Sequence, residues 1–147
     1  MDYVINKNDA MRSRLFLFLA ICSFNVKSQI VTTIAGNGII GCNGNGASAT
    51  SAKISDPMGS AFDENGIFYF ANQQCHTVCK IDHLGILSVI AGTGMIGFSG
   101  DNGPATAAKL FYPNDVAIDT MGHIYILDGM NYRVRKIDIN TGVISTV

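Results

Sequence analysis

The stretch Pro113–Asp138, PNDVAIDTMGHIYILDGMNYRVRKID, decides the fold of this chain. It contains three short runs of β-branched, aromatic and aliphatic residues, and Asp and Gly residues separate them. Such runs favour extended strands, and Asp and Gly favour tight turns because Asp bonds its own backbone and Gly accepts a positive φ. The stretch therefore predicts three antiparallel strands at residues 115–118, 124–127 and 133–139.

The same pattern occurs a second time earlier in the chain. When the sequence is moved by about 56 places, about 21 of the 55 pairs between residues 30–84 and 86–140 are identical. Each unit also contains a fourth apolar run, and four strands in a unit of this length are typical of a β-propeller blade. We predict an all-β chain of about two propeller blades, an incomplete propeller, with units at residues 30–85, 86–142 and, as the start of a third, 143–147.

Glycines recur at matching places in the two units. They precede no helix that carries Lys followed by Ser or Thr, so they predict turns rather than a phosphate-binding loop. We expect a positive φ at six of them: Gly36, Gly38, Gly66, Gly92, Gly94 and Gly122.

Residues 1–28 have the composition of a signal peptide with a polar leader. Arg12 and Arg14 precede an apolar run of about ten residues, whereas a membrane-spanning helix needs about 20. Small residues before Gln29 predict cleavage after Ser28. We therefore expect export to the periplasm, the cell surface or the medium, with no stable membrane span.

Three readings of the amino-terminal segment stay open beside that one. The polar leader leaves both Met1 and Met11 as candidate start residues. Residues 19–22 resemble the cleavage site of a lipoprotein that is lipidated on Cys22, although Ile21 stands where Gly or Ala is expected. A buried amino-terminal helix is the third alternative.

The charge balance excludes one broad class of function. The chain has a formal net charge of −1, and only six basic residues stand against nine acidic ones after position 28. Proteins that bind nucleic acids through a phosphate-neutralising surface depend on clustered Lys and Arg. We therefore expect no nucleic-acid partner.

The repeated motifs resemble a known family. Residues 113–138 strongly resemble an NHL repeat, and residues 90–106, IAGTGMIGFSGDNGPAT, resemble the linker of secreted bacterial NHL proteins and of teneurin-type propellers. The resemblance covers nearly all of Ile30–Val147 and implies a propeller fold. It implies no single activity, because members include interaction platforms, RNA binders, receptor-kinase sensor domains and a metal-dependent lyase.

A closed ring of such repeats needs about six blades, so we expect this chain to be a fragment. The open sheet edges of an incomplete ring would favour self-association.

The cysteines give two competing predictions. If Cys22 is removed with the leader, three cysteines remain, which is an odd number for an exported protein. In a propeller, the linker that carries Cys42 and the connection that carries Cys75 lie on the same face, so these two residues could form a disulfide. The alternative is three free thiols at Cys42, Cys75 and Cys79.

Two Cys and two His between Cys75 and His83 raise the question of a zinc site. In an extended strand, Cys79 and His83 would lie about 13 Å apart, which is too far for both to bind one ion. The second unit has other residue types at these positions. We predict no metal site and no cofactor.

Asp128, Asn131 and Arg133 resemble the polar brace of the family, in which an Asp at the end of the second strand holds an Arg on the third. The alternative is anion capture by Arg133 and Arg135. The first unit departs from the brace, because it has Asn72, Cys75 and Thr77 at these positions.

No catalytic residue can be assigned from the sequence. The three histidines have no nucleophile at a matched spacing, and the expected inner strands contribute only Asp115 as an acidic group. We therefore expect an exported, non-catalytic scaffold that binds a protein or a glycan through the face that carries the loops. The alternative is a piece of a propeller enzyme, a metal-dependent lyase or hydrolase, whose active-site blades are missing.

Overall fold

The computed structural model describes residues 30–147, so the predicted signal peptide at residues 1–28 lies outside the described part. Within that part, the regular structure consists of strands and short 3-10 turns. No helix in it has the length and apolarity needed to cross a membrane. The strands are β1 (Pro57–Phe62), β2 (Phe68–Asn72), β3 (Thr77–Ile81), β4 (Leu87–Ala91), β5 (Gly103–Pro104), β6 (Pro113–Ile118), β7 (Ile124–Asp128), β8 (Arg133–Ile137) and β9 (Val143–Thr146).

The strands form two antiparallel sheets. Strands β1 to β4 pair in sequence order, and strands β6 to β9 pair in the same way, with the two-residue β5 added beside β9. Each run of four strands is one propeller blade, which confirms the predicted all-β fold of two blades. Because β4 begins at Leu87, each blade takes its fourth strand from the start of the next sequence unit.

The turn between the first and second strands has the same structure in both blades. The Asp63 carboxylate accepts hydrogen bonds from the backbone N–H groups of Asn65 and Ile67, both at 2.9 Å, and from the Tyr69 hydroxyl at 3.2 Å. Burial and the Asp63 carboxylate raise the pKa of Tyr69 to about 12, so its hydroxyl remains a donor. The six glycines singled out in the sequence have φ values between +80° and +89°.

The main core lies between the two blades. Strand β1 lies beside β6, and one face of the first blade packs against the opposite face of the second. Alternate residues of each strand point into this space. Small residues of the second linker, the segment between β4 and β6, complete it. The buried side chains include Tyr69, Ala71, Val78, Ala105, Leu110, Val116, Ile126 and Ile137.

Each blade also has an outer face. Residues 49–54 cover part of that face in the first blade, whereas the outer face of the second blade is left exposed by the described residues. Leu127 and Val134 of the second blade are 45% and 40% exposed, whereas Ala71 and Val78, their equivalents in the first blade, are fully buried. On the other side of the pair, Phe62 is 65% exposed. These outer faces are apolar, as expected for blades that pack against further blades.

Candidate functional site

The linkers and the β2–β3 and β7–β8 connections meet at one end of the sheets. These connections are the 3-10 turns Gln73–Cys75 and Gly129–Asn131. The backbone N–H of Gln73 donates to the Asp56 carbonyl at 3.2 Å, and that of Met130 donates to the Phe111 carbonyl at 3.0 Å. We call this end, formed by residues 36–56, 92–112 and the two turns, the loop face.

In the second blade, a buried arginine ties the linker to strand β8. Arg135 is fully buried, and its Nη2 donates to Asp101 Oδ1 at 2.7 Å and to the Ser99 carbonyl at 3.1 Å. Its Nη1 lies 3.5 Å from Asp128 Oδ2. Desolvation opposes ionisation of Asp101, but a hydrogen bond from Thr146 and the charge of Arg135 lower the pKa of Asp101 overall.

The Asp128 carboxylate connects this arginine to the rest of the loop face. Its Oδ1 accepts from the Phe111 backbone N–H at 2.7 Å, and its Oδ2 accepts from Asn131 Nδ2 at 2.8 Å. Asn131 Nδ2 also donates to the Gly97 carbonyl at 2.8 Å. We call Asp101, Asp128, Asn131 and Arg135 the arginine clamp.

The structure corrects one residue of the predicted brace. Arg135, not Arg133, contacts Asp128. Arg133 is exposed, donates to the Asn131 carbonyl at 2.9 Å and lies with its Cζ 4.1 Å from the centre of the Phe98 ring. The two arginines lie on the same side of β8, two residues apart. Arg133 is at the solvent-facing start of the strand, whereas Arg135 lies one step further in, opposite Ile126.

The first blade has different residues at every one of these positions. Matching at the repeat distance of about 56 residues pairs Phe98 with Cys42, Asp101 with Asn45, Asp128 with Asn72, Asn131 with Cys75 and Arg135 with Cys79. The sulfur atoms of Cys42 and Cys75 are bonded at 2.04 Å, and their Cα atoms are 5.5 Å apart. A covalent link therefore joins linker and connection in the first blade, where the second blade has the clamp.

A cavity of about 460 Å³ lies beside this disulfide. Its floor includes buried Asn72, Thr77 and Cys79, and its rim includes exposed Asn45 and Thr93. Burial raises the pKa of Cys79 to about 11, so this thiol is protonated at neutral pH. We call this space the first-blade cavity, and it occupies the place of the buried arginine in the second blade.

The Cys and His residues between Cys75 and His83 do not form a metal-binding group. Cys75 is bonded to Cys42, and His76 Nδ1 accepts a hydrogen bond from the Tyr112 backbone N–H at 3.3 Å. Among residues 30–147, no three His, Cys, Asp or Glu side chains lie close enough together to hold a metal ion.

We expect His76 to make the stability of the loop face depend on pH. Burial lowers the pKa of His76, although the Asp128 carboxylate acts in the opposite direction. Only the neutral imidazole can accept at Nδ1, so the folded chain binds the proton more weakly than the unfolded chain, whose His pKa is about 6.5. The free energy of unfolding should therefore fall as the pH drops below about 6.5.

The test compares thermal unfolding of the parent chain and His76→Gln between pH 7.5 and 5.5. The Gln side chain keeps an acceptor for the Tyr112 N–H and does not titrate, so the variant should lose less stability on acidification. His83 and His123 are present in both chains, so their effects on the pH profile cancel when the two profiles are subtracted. Identical pH profiles would contradict this role of His76.

Two four-stranded antiparallel blades, packed face to face and tied to their linkers at one end, define a β-propeller protein. Residues 96–147 match the family model of the teneurin NHL domain. Over these residues the chain is therefore similar to the NHL repeats of the teneurins.

The similarity to known proteins extends over much of the described part of the chain. The protein SUPPRESSOR OF QUENCHING 1, chloroplastic, of Arabidopsis thaliana is 31% identical over 90 residues, which are 60% of this chain and 8% of that protein. Teneurin-3 of Danio rerio is 35% identical over 91 residues, 58% of this chain and 3% of that protein. This chain therefore spans less than a tenth of the length of these relatives.

The fold is also present in a crystal structure of an auxiliary nutrient binding protein from Bacteroides ovatus. The two chains align with a TM-score of 0.54 at 23% identity, over 73% of this chain and 26% of that one. At this identity, the likeness concerns the fold alone.

Proposed function

We propose that this chain is part of an exported, non-catalytic NHL propeller that binds a protein or a glycan through its loop face. The observation that carries the proposal is the first-blade cavity. In the second blade, the side chain of Arg135 fills the equivalent space, which therefore has only a packing role. In the first blade, this space is open to solvent. A cavity whose apolar walls carry a few polar groups is the usual form of a small-molecule binding site.

Export is supported by two features. Residues 1–28 combine a basic segment, a short apolar run and small residues before Gln29, which is the pattern of a signal peptide. The Cys42–Cys75 disulfide would persist in an oxidising compartment outside the cytosol. Both features fit a protein of the periplasm, the cell surface or the medium.

A binding role, rather than catalysis, is supported by the strands that lie next to each other in the two blades. Asp115 on β6 is the one ionisable side chain of β1 and β6, and its Oδ1 accepts a hydrogen bond from the Val116 N–H at 2.8 Å. A single carboxylate does not supply the acid and base that hydrolysis or elimination requires.

The test has two stages. The chain with its leader is expressed in a bacterial host, and the expected export product begins at Gln29, as measured by intact mass. The exported protein is then applied to a glycan array and to purified cell-surface proteins. Absence of cleavage would contradict export, and absence of binding to both surfaces would contradict the binding role.

A matched pair of variants locates the binding face. Thr93→Arg places a large charged side chain on the rim of the loop face, and Thr120→Arg places the same side chain on an exposed turn at the opposite end. We expect Thr93→Arg to weaken binding at least about tenfold and Thr120→Arg to leave it unchanged. Equal effects of the two variants would contradict binding through the loop face.

A further inference from the structure

The first-blade cavity has the size of a small-molecule site. Cys79 and Cys42 stand where the second blade has Arg135 and Phe98, and the loss of these two large side chains accounts for the space. The volume of about 460 Å³ lies within the range of about 300–1,000 Å³ that ligand sites occupy. The buried floor and the exposed rim give the cavity depth as well as access.

The hydrogen-bonding groups of this cavity are the reverse of those around Arg135: acceptors surround the arginine, whereas donors face the cavity. In the second blade, Asp101 and Asp128 present carboxylate oxygens, which accept hydrogen bonds. In the first blade, Asn45 Oδ1 already accepts from the Val89 N–H and Asn72 Oδ1 from the Ser55 N–H, both at 2.9 Å. The Asn45 amino group is therefore left for the cavity. The Asn72 amino group also contacts the Cys79 thiol, but it has a second N–H, so the walls offer donors to a ligand that carries oxygen acceptors.

The walls also require a neutral ligand. The polar side chains around the cavity are amides, hydroxyls and a protonated thiol, and none of the lining side chains is ionised. A charged ligand would lose its hydration there without a counter-charge, which is costly. Ile54, Leu87 and Val89 add an apolar wall, which suits a ligand with exposed C–H groups.

We propose that the first-blade cavity binds one neutral sugar residue, the exposed unit of a glycan. The hydroxyl and ring oxygens of a sugar accept hydrogen bonds from Asn45 and Asn72, and its C–H face packs against Leu87 and Val89. This inference rests on the proposed function and deepens it, because it names the site and the class of ligand.

The first experiment follows the side-chain amide signals of Asn45 and Asn72 by NMR. The 147-residue chain is titrated with the methyl α-glycosides of glucose, galactose and mannose and with N-acetylglucosamine. At least one of these sugars should shift both signals in a saturable way, with a Kd of about 1 mM or below. If none of the four shifts these signals, the inference is overturned.

Two variants test whether the cavity itself holds the sugar. Asn45→Leu removes a donor at nearly constant volume and should weaken sugar binding at least about tenfold. Asn140→Leu makes the same change at an exposed position of the second blade and should leave binding unchanged. A clamp graft, in which Cys42→Phe, Asn45→Asp, Asn72→Asp, Cys75→Asn and Cys79→Arg recreate the second-blade site, should abolish sugar binding.

Failure of this inference is distinguishable from failure of the proposed function. If Asn45→Leu and the clamp graft bind the sugar as well as the parent chain, the glycan-binding role stands and the cavity assignment is overturned. If no sugar binds but Thr93→Arg still disrupts binding to a protein, the proposed function stands and the sugar assignment is overturned.

Discussion

Replacement of Arg135 by Met should lower the free energy of unfolding by about 3–5 kcal/mol, which is the usual cost of removing one partner of a buried ion pair. The Met side chain keeps much of the volume but leaves Asp128, which is fully buried, without its cation. Asp101 loses its ion pair as well, but it is about a third exposed, and water compensates it in part. The expected loss therefore lies near the lower end of this range, and urea unfolding followed by circular dichroism measures it.

Arg133 provides the matched control for this prediction. It lies two residues away on the same strand, carries the same charge, and is exposed. Its contacts are a hydrogen bond to the Asn131 carbonyl and a cation–π contact with Phe98. Arg133→Met should therefore cost less than about 1 kcal/mol. Similar losses for the two variants would show that Arg135 does not hold the loop face together.

The fold was predictable from the sequence because its determinants are local and occur twice. The Asp63 and Asp119 turns are set by an Asp that bonds backbone N–H groups within four residues. The strands that follow each turn are short runs of strand-forming residues, such as Ile124–Asp128. Agreement between the two copies then separates these signals from chance.

The clamp was predicted only in part because its geometry is not local. Arg133 and Arg135 point to the same side of one strand, so periodicity does not distinguish them. The choice depends on Asp101, which lies 34 residues before Arg135 in the sequence and meets it only when the linker folds back. A side chain whose partner is that distant is placed by tertiary packing and not by its neighbours.

The first-blade cavity was also outside the reach of sequence reasoning. The sequence shows that Cys79 replaces Arg135 between the repeats, but it does not show whether neighbouring side chains move in to fill the space. The signal that was available is that five positions of one spatial cluster change together between the copies. That signal is recognised only after the structure shows that the five positions are neighbours.

The Cys42–Cys75 disulfide should contribute about 3–4 kcal/mol to stability, because it closes a loop with a sequence separation of 33. The double variant Cys42→Ser/Cys75→Ser is expected to lose this amount in urea unfolding. A reductant should destabilise the parent chain to a similar extent and have no effect on the double variant. Cys79→Ala keeps the disulfide, so it should remain sensitive to reductant.

Alkylation under denaturing, non-reducing conditions checks the bond directly. In the chain that begins at Gln29, Cys79 is the one cysteine outside the disulfide, so a single label is expected. Three labels would show three free thiols, and the stability effect of reductant would then need another cause.

The clamp graft connects these two predictions, because it tests whether the arginine clamp and the disulfide perform the same task. Both tie a linker to the connection after the second strand of its blade: Asn131 donates to the Gly97 carbonyl, and Cys75 Sγ lies 3.4 Å from the equivalent Gly41 carbonyl. The graft should therefore recover most of the stability that Cys42→Ser/Cys75→Ser loses, and reductant should no longer affect it. A graft no more stable than the double variant would mean that the clamp depends on surroundings that the first blade lacks, and that the two links are not interchangeable.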